Sequence, residues 1–406
     1  MALYAFDGTW NKDEVDDAAD TNVVRFREVY AGAEFEYVKG VGTRFGAVGR
    51  VMGGLLGSGG RHRIHEMYDA LCENWKKGDK DIDIVGFSRG AALAVHFANK
   101  IAKQGIEGET AKPKIRFLGL WDVVGSFGLS LDTIVNFHDI NLGWNIDEVA
   151  DCVEHCFHAM ALDERRESFG VTRLDPEHKL DNVREVWFRG VHSDIGGGNF
   201  NVKRSNIALK WMLDNARACG VPINDSVAKE PKYFDEDRDA PVSENKDVKR
   251  DPRRKVEDGD EIHESARPLV LAPGESHQCQ VMAALQYNHS RVKLESGATY
   301  RIEVPDGQMW LDGKIECGPE GWTTDELPWL KEKVVKVFEN NRRKPDANWF
   351  ELVGALGDED DDLFRIGKGT DYTATKDAEL YLFANDLKSK YDNNDGSLIV
   401  KISRTS

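Results

Sequence analysis

At 406 residues and 40% hydrophobic composition, the chain is long enough for one large domain and one smaller one, each with its own core. Its formal charge of -17, with the single basic run Lys249 to Lys255 set among acidic residues, is not the electrostatic footprint of a nucleic-acid binder, so DNA and RNA are excluded as expected partners. Six cysteines without C-x-x-C spacing point to neither a zinc site nor a disulfide framework, and reduced thiols in a cytoplasm are expected.

In chain order, "MALYAFDGTWN" runs directly into a buried-strand pattern with no signal peptide visible, so synthesis in the cytoplasm is expected. "LYAF", "EFEYV", "DIDIVGF", "IRFLGLWD" and "VREVWFRGV" read as strands alternating with amphipathic segments, which argues for an α/β sheet with helices on both faces. The stretch "FGAVGRVMGGLLGSGG" is too polar and glycine-rich to span a bilayer, so membrane contact is expected to be peripheral. In "RHRIHEMYDALCENWKKG", Ile64, Met67, Tyr68 and Leu71 fall at helical spacing and Gly78 closes the helix. "DCVEHCFHAMALDERR" reads as a helix over the sheet, with Cys152 and Cys156 sharing a face and His155 and His158 packed or capping.

These patterns give an α/β domain over residues 1–224. A charged linker or long surface loop is expected over 225–275, where Asp, Glu, Lys, Arg and Pro dominate. Residues 276–406 alternate apolar and polar positions in short segments, "VKLESGATYRIEV", "ANWFELVGAL", "DLFRIG", "AELYLFAN" and "GSLIVKI", which predicts an all-β sandwich.

The chemistry-bearing motif is Gly86-Phe87-Ser88-Arg89-Gly90, a G-x-S-x-G between a buried-strand pattern and a helix start rich in small residues. That context is the nucleophile elbow, where a serine occupies a strained turn. A serine hydroxyl needs a histidine base, an acid and oxyanion donors. Asp122 follows "IRFLGLW" and His192 follows "VREVWFRGV", both at expected carboxyl edges of strands, and the order Ser88, Asp122, His192 is that of α/β-hydrolases. Asp194 is the competing acid, two residues past His192. His96 lies on the helix of the serine and is expected to point away from it. The Arg89 backbone N–H is one expected oxyanion donor, and Gly8 or Thr9 of "FDGTWN" supplies the second, with Asp7 as a loop organiser. The glycines of "KGVGTRFGAVGRVMGGLLGSGG" precede no Walker lysine and read as a lip of the site.

"FDGTWN", "GVGT", "GFSRGA", "LWDVVGS" and "GVHSDIGGG", in that order over residues 2 to roughly 220, resemble the bacterial α/β-hydrolase family that includes the type VI secretion phospholipase effectors of the first lipase class. The resemblance implies a triad of Ser88, Asp122 and His192 and hydrolysis of glycerophospholipid esters. It also implies delivery by a secretion system to a target cell, with a secretion-system or immunity protein as partner.

A second resemblance covers residues 279 to 404. "RVKLESGATYRIEV", "WLDGKIECGPEGW", "NWFELVGALG" and "LYLFANDLKSKYDNNDGSLIVKI" are similar to the calcium-dependent galactose-binding lectins of the bacterial PA-I type. It implies Ca²⁺ ligands at Asp386, Asn393, Asn394 and the carbonyls of Lys390 and of Leu311 or Asp312. Hard oxygen donors suit calcium, while an Asp/Asn-rich hairpin without metal is the alternative. The expected function is a phospholipase A-type serine esterase directed to a surface by the lectin-like domain, with no cofactor for the hydrolysis. A carbohydrate esterase acting on acylated glycans, or a non-catalytic glycan- or protein-binding module, are the alternatives.

Overall fold

The computed structural model describes residues 1–8, 20–32, 34–38, 58–106, 108–110, 113–125, 146, 148–238, 240–243, 253–326 and 335–406. It divides into two compact units, one over Met1–Asn245 and Arg253–Ala266, the other principally Arg267–Ser406.

The first unit is built on β1 (Ala2–Phe6), β2 (Glu34–Val38), β3 (Ile82–Phe87), β4 (Ile115–Trp121), β5 (Cys156–Ala161), β6 (Val183–Phe188) and β7 (Glu261–Ile262). They form one sheet in the order β2-β1-β3-β4-β5-β6-β7, and every pair is parallel. Strands buried on both faces need apolar residues at odd and even positions alike, which is why "LYAF" and "IRFLGLW" read as continuous apolar runs.

Helices cover both faces. Tyr4, Phe6, Ile84 and Leu118 pack with α2 (Ser58–Lys76) and α3 (Arg89–Gln104), whereas Leu3, Ala5, Val85 and Phe117 pack with α1 (Asn22–Val29) and, beyond α4 (His192–Gly196), with α5 (Val202–Ala218). Gly78, at φ +99°, ends α2 where the helical spacing stops. Among the described residues no helix is long and apolar enough to cross a membrane.

Two segments differ from the sequence expectation. "CFHAMA" is strand β5 rather than part of a helix, paired to β4 and β6. A short apolar run satisfies either period, and partners on both sides decide for the strand. The residues expected as a linker instead supply α6 (Asp225–Ala228), α7 (Pro231–Phe234) and edge strand β7. Asn224 caps α6 by accepting the Ser226 N–H, and Tyr233 is buried with the α5 core. All six cysteines are free thiols.

The second unit holds β8 (Ser276–Met282), β9 (Asn288–Leu294), β10 (Thr299–Glu303), β11 (Trp310–Asp312), β12 (Ile315–Cys317), β13 (Leu352–Leu356), β14 (Leu363–Arg365), β15 (Gly369–Thr373), β16 (Ala378–Ala384) and β17 (Asn394–Arg404). One antiparallel sheet runs β12-β11-β17-β10-β15 with β8 also on β17, and the other runs β14-β13-β16-β9. Val281, Tyr300, Ile302 and Val400 from the first sheet share a core with Val292, Leu352, Leu380 and Leu382 from the second, a β-sandwich whose inward positions alternate along each strand. Residues 327–334 lie outside the described residues, and Glu339–Asn341 form a 3₁₀ turn after them.

Candidate active site

Ser88 sits between the end of β3 and the start of α3 with φ 60° and ψ -128°, a backbone region that a non-glycine residue occupies at a cost of about 1–3 kcal/mol. The two glycines around it are required by close approach. A Cβ on Gly90 would lie 2.3 Å from the Phe6 carbonyl oxygen and 2.4 Å from that of Asp7, and one on Gly86 would lie 2.7 Å from Ala91 Cα. The turn is also tied to the neighbouring strand, since the Ser88 N–H donates to the Trp121 carbonyl at 3.0 Å and the Ser88 carbonyl accepts the Val124 N–H at 3.2 Å. Asp122, which follows β4, also has a positive φ, 44°.

Parallel strands put their carboxyl ends on one edge of the sheet, so residues far apart in sequence meet there. His192, the first residue of α4, lies four positions past β6. Its Nδ1–H donates to Asp122 Oδ2 at 2.5 Å, which leaves Nε2 to accept the Ser88 hydroxyl proton at 2.8 Å. All three residues are buried. The imidazole is walled by Phe87 at 4.6 Å and Phe169 at 4.8 Å between ring centroids. Its backbone N–H donates to Glu164 Oε2 at 3.1 Å. Burial would push the Asp122 carboxyl up, but Arg254 and His192 beside it outweigh that and hold it well below the usual carboxylate range. Glu164 is likewise lowered, because burial is outweighed by its paired Arg166.

The rival assignments occupy other positions. Asp194 organises its own turn: Oδ2 accepts the Val191 N–H at 3.1 Å and the Ser243 N–H at 2.9 Å, and Oδ1 accepts the Ser243 hydroxyl at 2.6 Å and Asn199 Nδ2–H at 3.1 Å. His96 lines a cavity of about 330 Å³ between α2 and α3 with Arg61, His65 and Lys100, and Ser88 is not part of that lining. The His155 carbonyl accepts the Leu118 N–H in the approach to β5. His158 is buried on β5, where Nδ1–H donates to Glu185 at 2.9 Å and Nε2 accepts the Val123 N–H at 3.0 Å, so it supports the loop that carries Asp122.

Of the expected oxyanion donors, Arg89 opens α3, where backbone N–H groups point out of the helix. The Gly8 N–H is engaged by its neighbour, donating to Asp7 Oδ1 at 2.7 Å, and Asp7 Oδ2 accepts the hydroxyls of Thr21 at 2.9 Å and Tyr37 at 2.6 Å. Asp7 therefore organises its loop. Thr9 and the glycines of 39–57 lie outside the described residues. Arg254, Glu164, Phe169 and the His158–Glu185 pair were not expected at the site. Arg254, Glu164 and Phe169 are single residues in charged or irregular stretches, and His158 and Glu185 meet only through the pairing of β5 with β6.

In the second unit the residues expected to bind calcium come together. Asn394 Nδ2–H donates to Asp386 Oδ2 at 3.2 Å, Asn393 Nδ2–H reaches Asp312 Oδ1 at 3.2 Å and Asn394 Oδ1 at 3.3 Å, and the Lys390 carbonyl accepts the Asn393 N–H at 3.3 Å. Burial, then repulsion from Asp312, pushes the Asp386 carboxyl up to about 6. Two mutually repelling carboxylates beside amide and carbonyl oxygens fit a hard divalent cation in donor chemistry. Among the described residues, no group of three His, Cys, Asp or Glu is placed to hold a metal ion.

Comparison with known proteins adds the following. The family model described as the type VI secretion phospholipase effector Tle1-like catalytic domain matches residues 3–111 and 103–215, together just over half of the chain. No curated protein matches the sequence. Similar solved structures include an uncharacterized protein from Pseudomonas aeruginosa, 20% identical, with 58% of this chain and 49% of that one covered at a TM-score of 0.42. Another is the Tle1 effector bound to the VgrG spike of a type VI secretion system, 24% identical over 49% of this chain and 51% of that one, at 0.35. A third is the N-terminal domain of EclA, a PllA-like lectin, 20% identical over 31% of this chain and 94% of that one, at 0.24. The chain thus spans about half the length of the first two.

Proposed function

The chain belongs to the type VI secretion Tle1-like phospholipase effectors through their catalytic domain, and from that premise we propose that it hydrolyses acyl esters of membrane glycerophospholipids with Ser88 as the nucleophile. The observation that carries this reading is the continuous hydrogen-bond chain from the Ser88 hydroxyl through His192 to Asp122. Ser88 Oγ attacks the acyl carbonyl as its proton passes to His192 Nε2. The tetrahedral oxyanion is met by the Arg89 N–H, and collapse breaks the ester C–O bond as the imidazolium returns the proton to the departing lysolipid oxygen. Water, deprotonated by the same imidazole, then releases the fatty acid and restores the serine. Asp122 keeps Nδ1 protonated throughout, which holds the tautomer that leaves Nε2 as base.

We place delivery with a type VI secretion apparatus, in line with the family. The C-terminal sandwich is read as the targeting unit, with Asp386, Asn393, Asn394, Asp312 and the Lys390 carbonyl as a Ca²⁺ site. Calcium there would hold a glycan-facing loop and take no part in ester hydrolysis.

The deciding experiment incubates wild type and Ser88→Ala with mixed bacterial phospholipids and follows the products by lipid mass spectrometry. Wild type should release fatty acid and lysophospholipid, and the alanine variant should lose several orders of magnitude of rate. A fluorophosphonate probe should label Ser88 and nothing else. Undiminished hydrolysis by Ser88→Ala would overturn the serine mechanism, and release of acyl groups from glycans alone would move the substrate to carbohydrate esters.

A further inference from the structure

An acid that orients an imidazole needs donors for its remaining lone pairs, and Asp122 has one of the ordinary kind, the Ala161 N–H at 2.9 Å on Oδ1. It also has a guanidinium. Arg254 donates from Nη1 to Oδ1 at 2.6 Å and from Nη2 to Oδ2 at 3.0 Å. The other Nη hydrogens go to the Ala161 carbonyl at 2.5 Å and the Phe169 carbonyl at 2.6 Å. The Arg254 side chain is 6% exposed and that of Asp122 is 0% exposed. A guanidinium is planar and binds a carboxylate at two points, so the pair fixes the plane of the carboxylate as a lysine could not.

We propose that Arg254 is a positioning residue of the hydrolytic site, which clamps both oxygens of Asp122 and offsets its charge, and so sets the acid edge of the pH range in which the enzyme works. The inference rests on the serine-hydrolase reading above and assigns a new residue to it. Two consequences follow from the geometry. Through the Phe169 carbonyl, the same fork that aims the acid also holds the segment whose ring packs edge-on against His192. Electrostatically, a lone buried carboxylate would hold the imidazolium proton tightly, and a cation on the same two oxygens opposes that.

The other charged groups near His192 do not depend on Arg254. Glu164, beneath its backbone N–H, pairs with Arg166 at 2.8 Å. Asp194, on the same short helix, is bound by Ser243 and Asn199. Arg89 follows the serine. Removing Arg254 therefore leaves the Asp122 carboxylate against the imidazole without the guanidinium that offsets its charge. Protonation of the base then competes with catalysis at higher pH.

The test measures kcat/KM for a soluble p-nitrophenyl ester from about pH 5 to about pH 9 with full-length protein. In Arg254→Gln the acid limb should move up by roughly one pH unit, the displacement expected for loss of one partly screened neighbouring charge. In Arg254→Lys, which keeps the charge without the fork, the limb should stay where wild type has it while kcat falls roughly tenfold from the looser carboxylate. Thermal unfolding establishes that each variant is folded. An unmoved limb in Arg254→Gln, or a limb that moves as far in Arg254→Lys, overturns the proposal. If the glutamine variant fails to fold, the lysine variant decides alone, because any displacement of its limb contradicts the charge argument. Activity surviving in Ser88→Ala would instead remove the reading underneath. An inactive Ser88→Ala beside an unmoved Arg254→Gln limb removes only the role of Arg254.

Discussion

Asp122 and Asp194 are both fully buried, so burial alone does not separate acid from bystander. Their partners do. Asp122 takes the His192 Nδ1–H, while the oxygens of Asp194 are engaged by Val191, Ser243, Asn199 and Asn201. Asp122→Asn should therefore favour the wrong imidazole tautomer and lower kcat by roughly 10⁴-fold with little change in fold. Asp194→Asn should act through the turn, lowering thermal stability while retaining most of the turnover per folded molecule. Kinetics with active-site titration of both variants checks this, and a reversal of the two effects would transfer the acid to Asp194. The meeting of Ser88, Asp122 and His192 was legible in the sequence because each is announced locally: Ser88 by its flanking glycines, Asp122 and His192 by the apolar strands they follow. Arg254 was not, because it lies 132 positions from Asp122 in "DPRRKVEDGD", where one arginine among several charges has no periodicity to mark it.

At the scale of elements, β5 shows why a local pattern can mislead. "CFHAMA" follows neither period decisively, and the strand is selected by what flanks it: β4 and β6 offer unpaired edges, and His158 finds Glu185 across the β5–β6 pair. Glu185 also accepts from Arg173, and Arg173 holds Asp260 beside β7, so one carboxylate ties together the edge of the sheet. Burial raises its carboxyl, but hydrogen bonds from His158, the Leu174 N–H and the Arg173 guanidinium prevail and bring it down to about 2. The folded value lies below the ordinary 4.5, so its contribution to stability is complete above that pH and is lost as pH falls toward 2. Glu185→Gln should thus destabilise the first unit at neutral pH by on the order of 3 kcal/mol. The gap to wild type should close on acidification. Denaturant midpoints near pH 7 and near pH 3 test it, and a gap of equal size at both would mean that the charge of Glu185 is not what stabilises the edge.

Across the whole molecule, charge argues for a dedicated means of attachment. At -17, the chain as a whole is repelled by anionic lipid rather than drawn to it. The sandwich closes a core of its own, and its Asp386–Asp312 pair is where a cation would relieve repulsion. Without divalent cation, the carboxyl of Asp386 at about 6 stands above its ordinary 3.8, so the folded unit holds the proton more tightly than the unfolded chain. Stability then falls as pH rises from 3.8 through about 6. In chelator at pH 7, Asp386→Asn should raise the melting temperature of the second unit's transition by relieving on the order of 1–3 kcal/mol of burial cost and repulsion from Asp312. In millimolar Ca²⁺ the order should reverse: wild type gains stability by mass action, and the asparagine variant, having lost a ligand, gains little. Hydrolysis of a soluble ester should be indifferent to chelator in both proteins, while binding to glycan-bearing vesicles should weaken in chelator for wild type. Calorimetry of the full chain with and without Ca²⁺ reads both effects. If millimolar Ca²⁺ neither raises the wild-type transition nor produces heat of binding, Asp386, Asn393 and Asn394 form a polar hairpin, and surface attachment must come from another part of the chain.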